Sequence, residues 1–199
     1  FDRAKTDNPE DISVVHEKAA AFDGLNLYGS RHLAKAFLVD MKGEVLHTWT
    51  AKSPKPPWMH MTLKKNGDLL VISKANYAAK LDWCSNVIWQ RPMTAHHDIV
   101  EGPDGRIHVL THGLAHYSFD GAQIPIMDDA LEVLSPDGKL ISKTRLFPLL
   151  RALVPGSRIS KIRKLTGQGL PIRRLIKEGA PSDTTHGNSI HILDRSIPD

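Results

Sequence analysis

His60-Met-Thr-Leu-Lys-Lys-Asn66-Gly67-Asp-Leu-Leu-Val-Ile72 is the stretch whose reading decides the fold. An Asn-Gly pair between two apolar runs marks a tight hairpin, because both residues tolerate the positive φ that such a turn demands. The shape returns as Asp98-Ile-Val-Glu-Gly-Pro-Asp104-Gly105-Arg-Ile-His-Val-Leu110, with the polar opener and the turn glycine both displaced by 38 residues. A second kind of hairpin interleaves with the first. It reads Asp40-Met-Lys-Gly43-Glu-Val-Leu-His-Thr-Trp49, then Asp82-Trp-Cys-Ser-Asn-Val-Ile-Trp89, with the aspartates 42 residues apart. Leu131-Glu-Val-Leu-Ser-Pro-Asp137-Gly138-Lys-Leu-Ile141 has the same form. Two hairpins in a repeat of about forty residues describe a four-stranded propeller blade. The expected fold class is therefore all-β, a β-propeller of four-stranded antiparallel blades with about three blades in this chain.

Outward from these repeats the chain divides into four parts. Residues 1–30 read as an N-terminal arm and a first strand, and 31–147 as the blades. Residues 148–181 form a basic helical insertion, and 182–199 open the next blade. The insertion is recognised by its change of period. Leu149, Leu150, Leu153, Val154, Ile159, Ile162 and Leu165 recur at helical spacing, and Gly156, Gly167 and Pro171 break the run into two or three short helices. After Pro181 a strand rhythm is expected again over 188–193. Three blades do not close a ring, so further chain or another chain is expected to supply the rest.

Composition narrows the function. Cys84 is the only cysteine, which excludes an internal disulfide and thiol metal clusters. No apolar run is long enough to span a bilayer. Of the net charge of +4, the 148–181 stretch carries +7, with eight bases against Glu178, leaving the remainder mildly acidic. That stretch reads either as a solvated insertion packed on the propeller or as a docking element for an anionic membrane surface or protein partner. Nucleic acid is not expected, because the stretch has no aromatic residue for base stacking. No phosphate-cradling glycine loop is present, and no cofactor is expected.

The polar openers carry the functional signal. Aligning the turns places His60, Asp98 and Asn188 in register, and pairs His96 with His186. The first strand of each blade lines a propeller's channel, so its mouth should hold His60, His96 or His97, Asp98, His186 and Asn188. A lone histidine favours a structural role; three in register favour function. Imidazoles there could transfer protons, ligate a metal or capture an electrophile, though no short-range spacing supports a metal. His112-Gly-Leu-Ala-His116 reads as a loop, Asp128-Asp129 as a solvated turn, and Trp49, Trp58, Trp83 and Trp89 as blade packing.

Three stretches resemble the arylsulfotransferase family. They are Asp23-Gly-Leu-Asn-Leu-Tyr28 with Ala36 to Trp49, His96-His97-Asp98-Ile with Pro103-Asp-Gly105, and Thr185-His186-Gly-Asn188-Ser189-Ile. The resemblance implies a six-bladed propeller that transfers a sulfuryl group from an aryl sulfate to a phenolic acceptor. The reaction is ping-pong through a sulfohistidine and uses no nucleotide donor. By that resemblance His96, His97 and His186 are catalytic, His60, Asp98 and Asn188 bind substrate, and the setting is periplasmic or membrane-associated. The family's arginine and nucleophilic histidine would fall beyond Asp199. A non-catalytic propeller subunit, docking in a larger and membrane-associated complex through its basic insertion, is the alternative.

Overall fold

The computed structural model describes residues 23–30, 32–52, 56–167 and 185–193. Its strands form three antiparallel sheets in chain order. The first holds β1 (Asn26–Gly29), β2 (Lys35–Val39) and β3 (Val45–Thr50). The second holds β4 (His60–Leu63), β5 (Leu69–Ser73), β6 (Tyr77–Leu81) and β7 (Val87–Pro92). The third holds β8 (Ala95–Glu101), β9 (Ile107–Phe119), β10 (Ala122–Leu134) and β11 (Leu140–Arg145). Each pairs only with its sequence neighbours, the up-and-down order of a propeller blade.

The repeat seen in the sequence is a repeat of turn chemistry. Asp40 Oδ1 accepts from the N–H groups of Lys42 (2.8 Å) and Glu44 (2.9 Å). Asp82 Oδ1 accepts from Asn86 N–H at 2.7 Å, and Ser135 Oγ from Lys139 N–H at 3.0 Å. A register shift precedes each turn, at Leu38/Val39, Lys80/Leu81 and Val133/Leu134. A short acceptor at the strand's end thus closes the same bulged hairpin in every sheet.

Alternation along β5 explains how the sheets stack. Leu69 and Val71 face the first sheet and join Ala36, Leu38, Trp49 and Trp58 in one core cluster. Leu70 and Ile72 face the third sheet and join Trp89, Ile99, Ile107, Val109 and Leu134 in another. A strand buried on both faces must be apolar at every position, which is why Leu-Leu-Val-Ile runs unbroken. Trp49, Trp58 and Trp89 are buried as expected, but Trp83 is 44% exposed and stacks on His47 with ring centroids 3.7 Å apart.

Two sequence expectations are corrected within the third sheet. β9 and β10 each run thirteen residues, paired from Ile107↔Leu134 to Phe119↔Ala122. His112–His116 is therefore strand, not loop, and Asp128 and Asp129 are buried strand residues, each 1% exposed. Gly113 and Pro125 disguised this extension, since both weaken a strand reading. Beyond the sheet lie α1 (Phe147–Leu150), a 3₁₀ turn over Arg151–Leu153, and α2 (Gly156–Thr166). They pack Phe147 and Ile162 against Ile124 and Ile126 of β10, so the extension is the floor on which the helices sit. Arg173, Arg174 and Lys177 lie outside the described residues. The strand expected over 188–193 is also corrected: the described residues 185–193 form no strand.

Candidate functional site

Five of the six expected site residues meet at the start of β8. The strand enters regularly at Ala95, opposite Thr111, and resumes at Ile99, opposite Val109, so β8 advances four residues while β9 advances two. The extra residues form a bulge, with His97 in the left-handed region at φ +58°. Side chains two apart in a strand share a face, with the residue between them on the other. Here His96 and Asp98 turn inward, 3% and 9% exposed, while His97 turns out to solvent.

The two inward residues do separate jobs. Asp98 Oδ1 lies 3.1 Å from His60 Nε2 and accepts from its neighbour Ile99 N–H at 2.9 Å. Its other oxygen accepts from Ile190 N–H at 2.7 Å. His96 Nε2 lies 3.2 Å from Asp129 Oδ1, and its ring stacks on His112 with centroids 4.6 Å apart. Asp129 Oδ2 accepts from Gly187 N–H at 2.6 Å and Thr185 Oγ–H at 3.1 Å. Asp98 and Asp129 are thus used alike. Each gives one oxygen to an imidazole and the other to a backbone N–H of the segment 185–193.

That segment brings His186 into the site. Its ring centroid is 5.2 Å from that of His97, and the His97 centroid is 4.9 Å from that of His96. His186 also has positive φ, +39°. Non-glycine residues held in this region cost about 1–3 kcal/mol each and persist where surrounding contacts over-determine them. The two outermost imidazoles of the cluster are the two that carry this strain. Asn188 is the exception among the expected residues. It is exposed, its side-chain amide donates to its own loop at His186 O (3.1 Å), and it serves the loop's shape.

Burial and hydrogen bonding set the electrostatics. Burial holds the His60 imidazole below the usual histidine value, against the opposing pull of Asp98. His97 is also lowered, by burial first and then by His96, His186 and Lys74, with Asp129 pulling the other way. For Asp129 desolvation is the largest single influence and pushes its carboxyl up. Hydrogen bonds from His96, Gly187 and Thr185 together outweigh it, and the group sits below the ordinary aspartate value. The next residue on β10 faces the opposite side. Asp128 accepts from Tyr117 Oη–H and from Phe147 N–H (2.8 Å), joining the helices to the sheet. Burial, then the hydrogen bond to Asp128, pushes the Tyr117 phenol up to about 12.

Sequence reasoning missed His112 and Asp129. The signal for Asp129 was available in part, because the turn alignment that ends at Ser135 fixes the phase of β10 back through Asp129. His112 was hidden by Gly113.

Comparison with solved structures finds a streptogramin B lyase at 15% identity, covering 60% of this chain and 50% of that one with a TM-score of 0.37. It also finds BamB from Moraxella catarrhalis at 13% identity, covering 61% and 47%, with a TM-score of 0.31. The chain spans about half the length of these structures. Among curated proteins none matches. The family model described as Arylsulfotransferase (ASST) matches residues 11–196, nearly the whole chain including both histidine motifs, and the chain belongs to the arylsulfotransferase family.

Proposed function

We propose that these residues form part of a sulfuryl-transfer site, acting on an aryl sulfate and a phenolic acceptor. The observation that carries the reading is the approach of His97 and His186, brought together from positions 89 residues apart at the open face of a buried His–Asp network. Two imidazole N–H groups converging from different segments suit the equatorial oxygens of a sulfuryl group, where negative charge accumulates as the aryl oxygen departs. In this reading His60, tied to Asp98, gives a proton to the leaving phenolate and takes one from the entering phenol.

The transfer balances in two steps. A histidine nitrogen attacks sulfur as the sulfur–oxygen bond to the aryl group breaks, and the phenolate takes a proton. The acceptor phenol oxygen then attacks sulfur, the nitrogen–sulfur bond breaks, and the acceptor's proton returns to the site. The family resemblance assigns the attack to none of His60, His96, His97 and His186. His96 Nε2 lies below the surface, 3.2 Å from Asp129 Oδ1. It supports His97 and does not meet the substrate directly.

The test is release of a chromogenic phenol from its sulfate ester, with and without phenolic acceptor, by the protein that carries this chain. Acceptor-dependent release should fall about a hundred- to a thousandfold in H186A and H97A, the cost of losing one oxyanion donor. Undiminished turnover in both variants would remove the reading.

One observation favours the docking alternative. Leu149 and Leu153 are 67% and 78% exposed in the turns that lead into α2, the helix that carries Arg158, Lys161 and Lys164. Two bases of this stretch hold it to the sheet: Arg151 Nη2 donates to Ser118 O (3.1 Å) and Arg163 Nη2 to Phe119 O (3.0 Å). No helix among the described residues is long and apolar enough to cross a membrane, so this arrangement would lie on an anionic surface. Co-sedimentation with vesicles rich in phosphatidylserine, lost on L149S/L153S, is its test. Binding that ignores both the leucines and the anionic lipid would dismiss it.

A further inference from the structure

Beneath the outer imidazoles lies a second cluster to which the sulfuryl-transfer reading gives no contact with substrate. His96, His112 and Asp129 offer three donor atoms, all within 4.8 Å of one another. They come from three adjacent strands of one sheet, β8, β9 and β10. His112 and Asp129 are directly opposed in the β9–β10 register, so their side chains share a face. His96 follows Ala95, which opposes Thr111, so strand alternation sets it on the same face as His112 and Asp129.

From this arrangement we infer a binding site for a divalent transition cation of the zinc class, held by His96, His112 and Asp129. Two imidazoles and one carboxylate are a ligand set suited to Zn²⁺ or Fe²⁺, with positions left open for water or substrate. The spacing fits. His96 Nε2 and Asp129 Oδ1 are 3.2 Å apart, close to the roughly 3.3–3.5 Å separating two donors across a tetrahedral ion with bonds of about 2.0–2.1 Å. The His112 donor lies within 4.8 Å of the other two, so a rotation of its half-buried ring would complete the set.

The surroundings are those of a supported ligand. Asp129 Oδ2 is held by Gly187 N–H and Thr185 Oγ–H, which fixes the carboxylate and directs Oδ1 at His96. Ligating carboxylates are commonly oriented this way by outer hydrogen bonds. The backbone of His112 is fixed on both sides by Thr94, whose carbonyl accepts from His112 N–H at 3.1 Å and whose hydroxyl donates to His112 O. His97 and His186 lie above this cluster and remain exposed to a substrate. A cation seated below them would add fixed positive charge under the position proposed for the sulfuryl oxygens.

Binding is the readout, independent of turnover, so this inference and the sulfuryl-transfer reading fail separately. The full chain, stripped with chelator, is titrated with Zn²⁺ by calorimetry and with Co²⁺ by visible absorption. One equivalent should bind, with the ligand-field bands of a Co²⁺ of low coordination number. H112Q, at a half-buried position that tolerates exchange, and D129N should each weaken binding by more than the roughly ten- to hundredfold cost of losing an outer-shell partner. Zn²⁺ should raise the melting temperature of the parent chain and not of H112Q. H97A should bind as the parent does. Absence of stoichiometric binding, binding untouched in H112Q and D129N, or binding abolished in H97A would each overturn the assignment.

Discussion

Removing the Asp98 carboxylate should loosen one segment of the protein far more than the rest. In D98A three donors lose their acceptor: Ile99 N–H, the His60 imidazole and Ile190 N–H. The first two belong to the sheets, whose many ladder bonds hold them in place. Only the Ile190 bond, at 2.7 Å, reaches into 185–193, a segment with no strand ladder of its own. A hydrogen bond to a charged group contributes about 1.5–3 kcal/mol net. The Asp98 side chain is 13% exposed, which argues for the lower part of that range, about 2 kcal/mol. A change of that size is roughly thirtyfold in the equilibrium between closed and open forms.

Hydrogen exchange followed by mass spectrometry separates the local effect from the global one. The peptide covering 185–193 should exchange about thirtyfold faster in D98A. The β5 strand, buried at all five positions, serves as the internal reference and should change much less. D98N keeps an amide oxygen that can still accept from Ile190, so its effect should be smaller. Equal acceleration of both peptides would mean that Asp98 supports the whole fold. Unchanged exchange at 185–193 would mean that the Ile190 bond contributes nothing. Either result refutes the reasoning.

Two further outcomes follow from other parts of the structure. Gly138 has φ +81°, and a Cβ there would lie 2.7 Å from Trp89 Cδ2; G138A should therefore destabilise the protein by about 2 kcal/mol or more in chemical denaturation. W89L added to G138A should recover the steric part and leave the backbone strain, whereas full recovery or none would contradict that division. His60 should titrate below its ordinary value of 6.5 by NMR, and lower still in D98N, because Asp98 is the group that opposes its desolvation. A depressed folded pKa contributes stability that is present above pH 6.5 and lost as pH falls through the folded value. Denaturation midpoints measured from pH 7.5 down to 5 should thus decline less in H60Q than in the parent, and an identical decline would exclude His60 as a contributor.

The fold was legible because its information is local. Asn66-Gly67, Asp104-Gly105 and Asp137-Gly138 each specify a hairpin within four residues, and the recurrence of Asp40, Asp82 and Ser135 repeats one turn. The outer site was legible for a related reason: His60, Asp98, His96 and His186 were placed by counting from those turns. What could not be read was whatever depends on a departure from the repeat. The bulge at His97 obeys no period, and it is what sets His97 in the left-handed region and shifts β8 against β9. The β9–β10 extension makes one hairpin about twice as long as the others and carries Gly113 and Pro125, so Asp128-Asp129 looked like solvated acids. Their burial depends on partners far along the chain, with Phe147 and Gly187 supplying N–H groups from 19 and 58 residues away.

That dependence works in both directions, and it accounts for the site's position. A carboxylate as deeply buried as Asp129 or Asp98 is costly unless its oxygens find donors. A segment such as 185–193, without a ladder, has backbone N–H groups that need acceptors. In this protein the two requirements meet: Asp129 takes Gly187 N–H and Asp98 takes Ile190 N–H, three residues apart on the segment. The match fixes the segment's register against the sheet. It sets His186 at φ +39° facing His97, an orientation that the histidine's own backbone preference disfavours. The outer imidazoles are therefore placed by the same buried carboxylates that hold His96 and His60. A change to either aspartate should disturb both layers of the site together, whereas a change to His97 or His186 should disturb only the outer one.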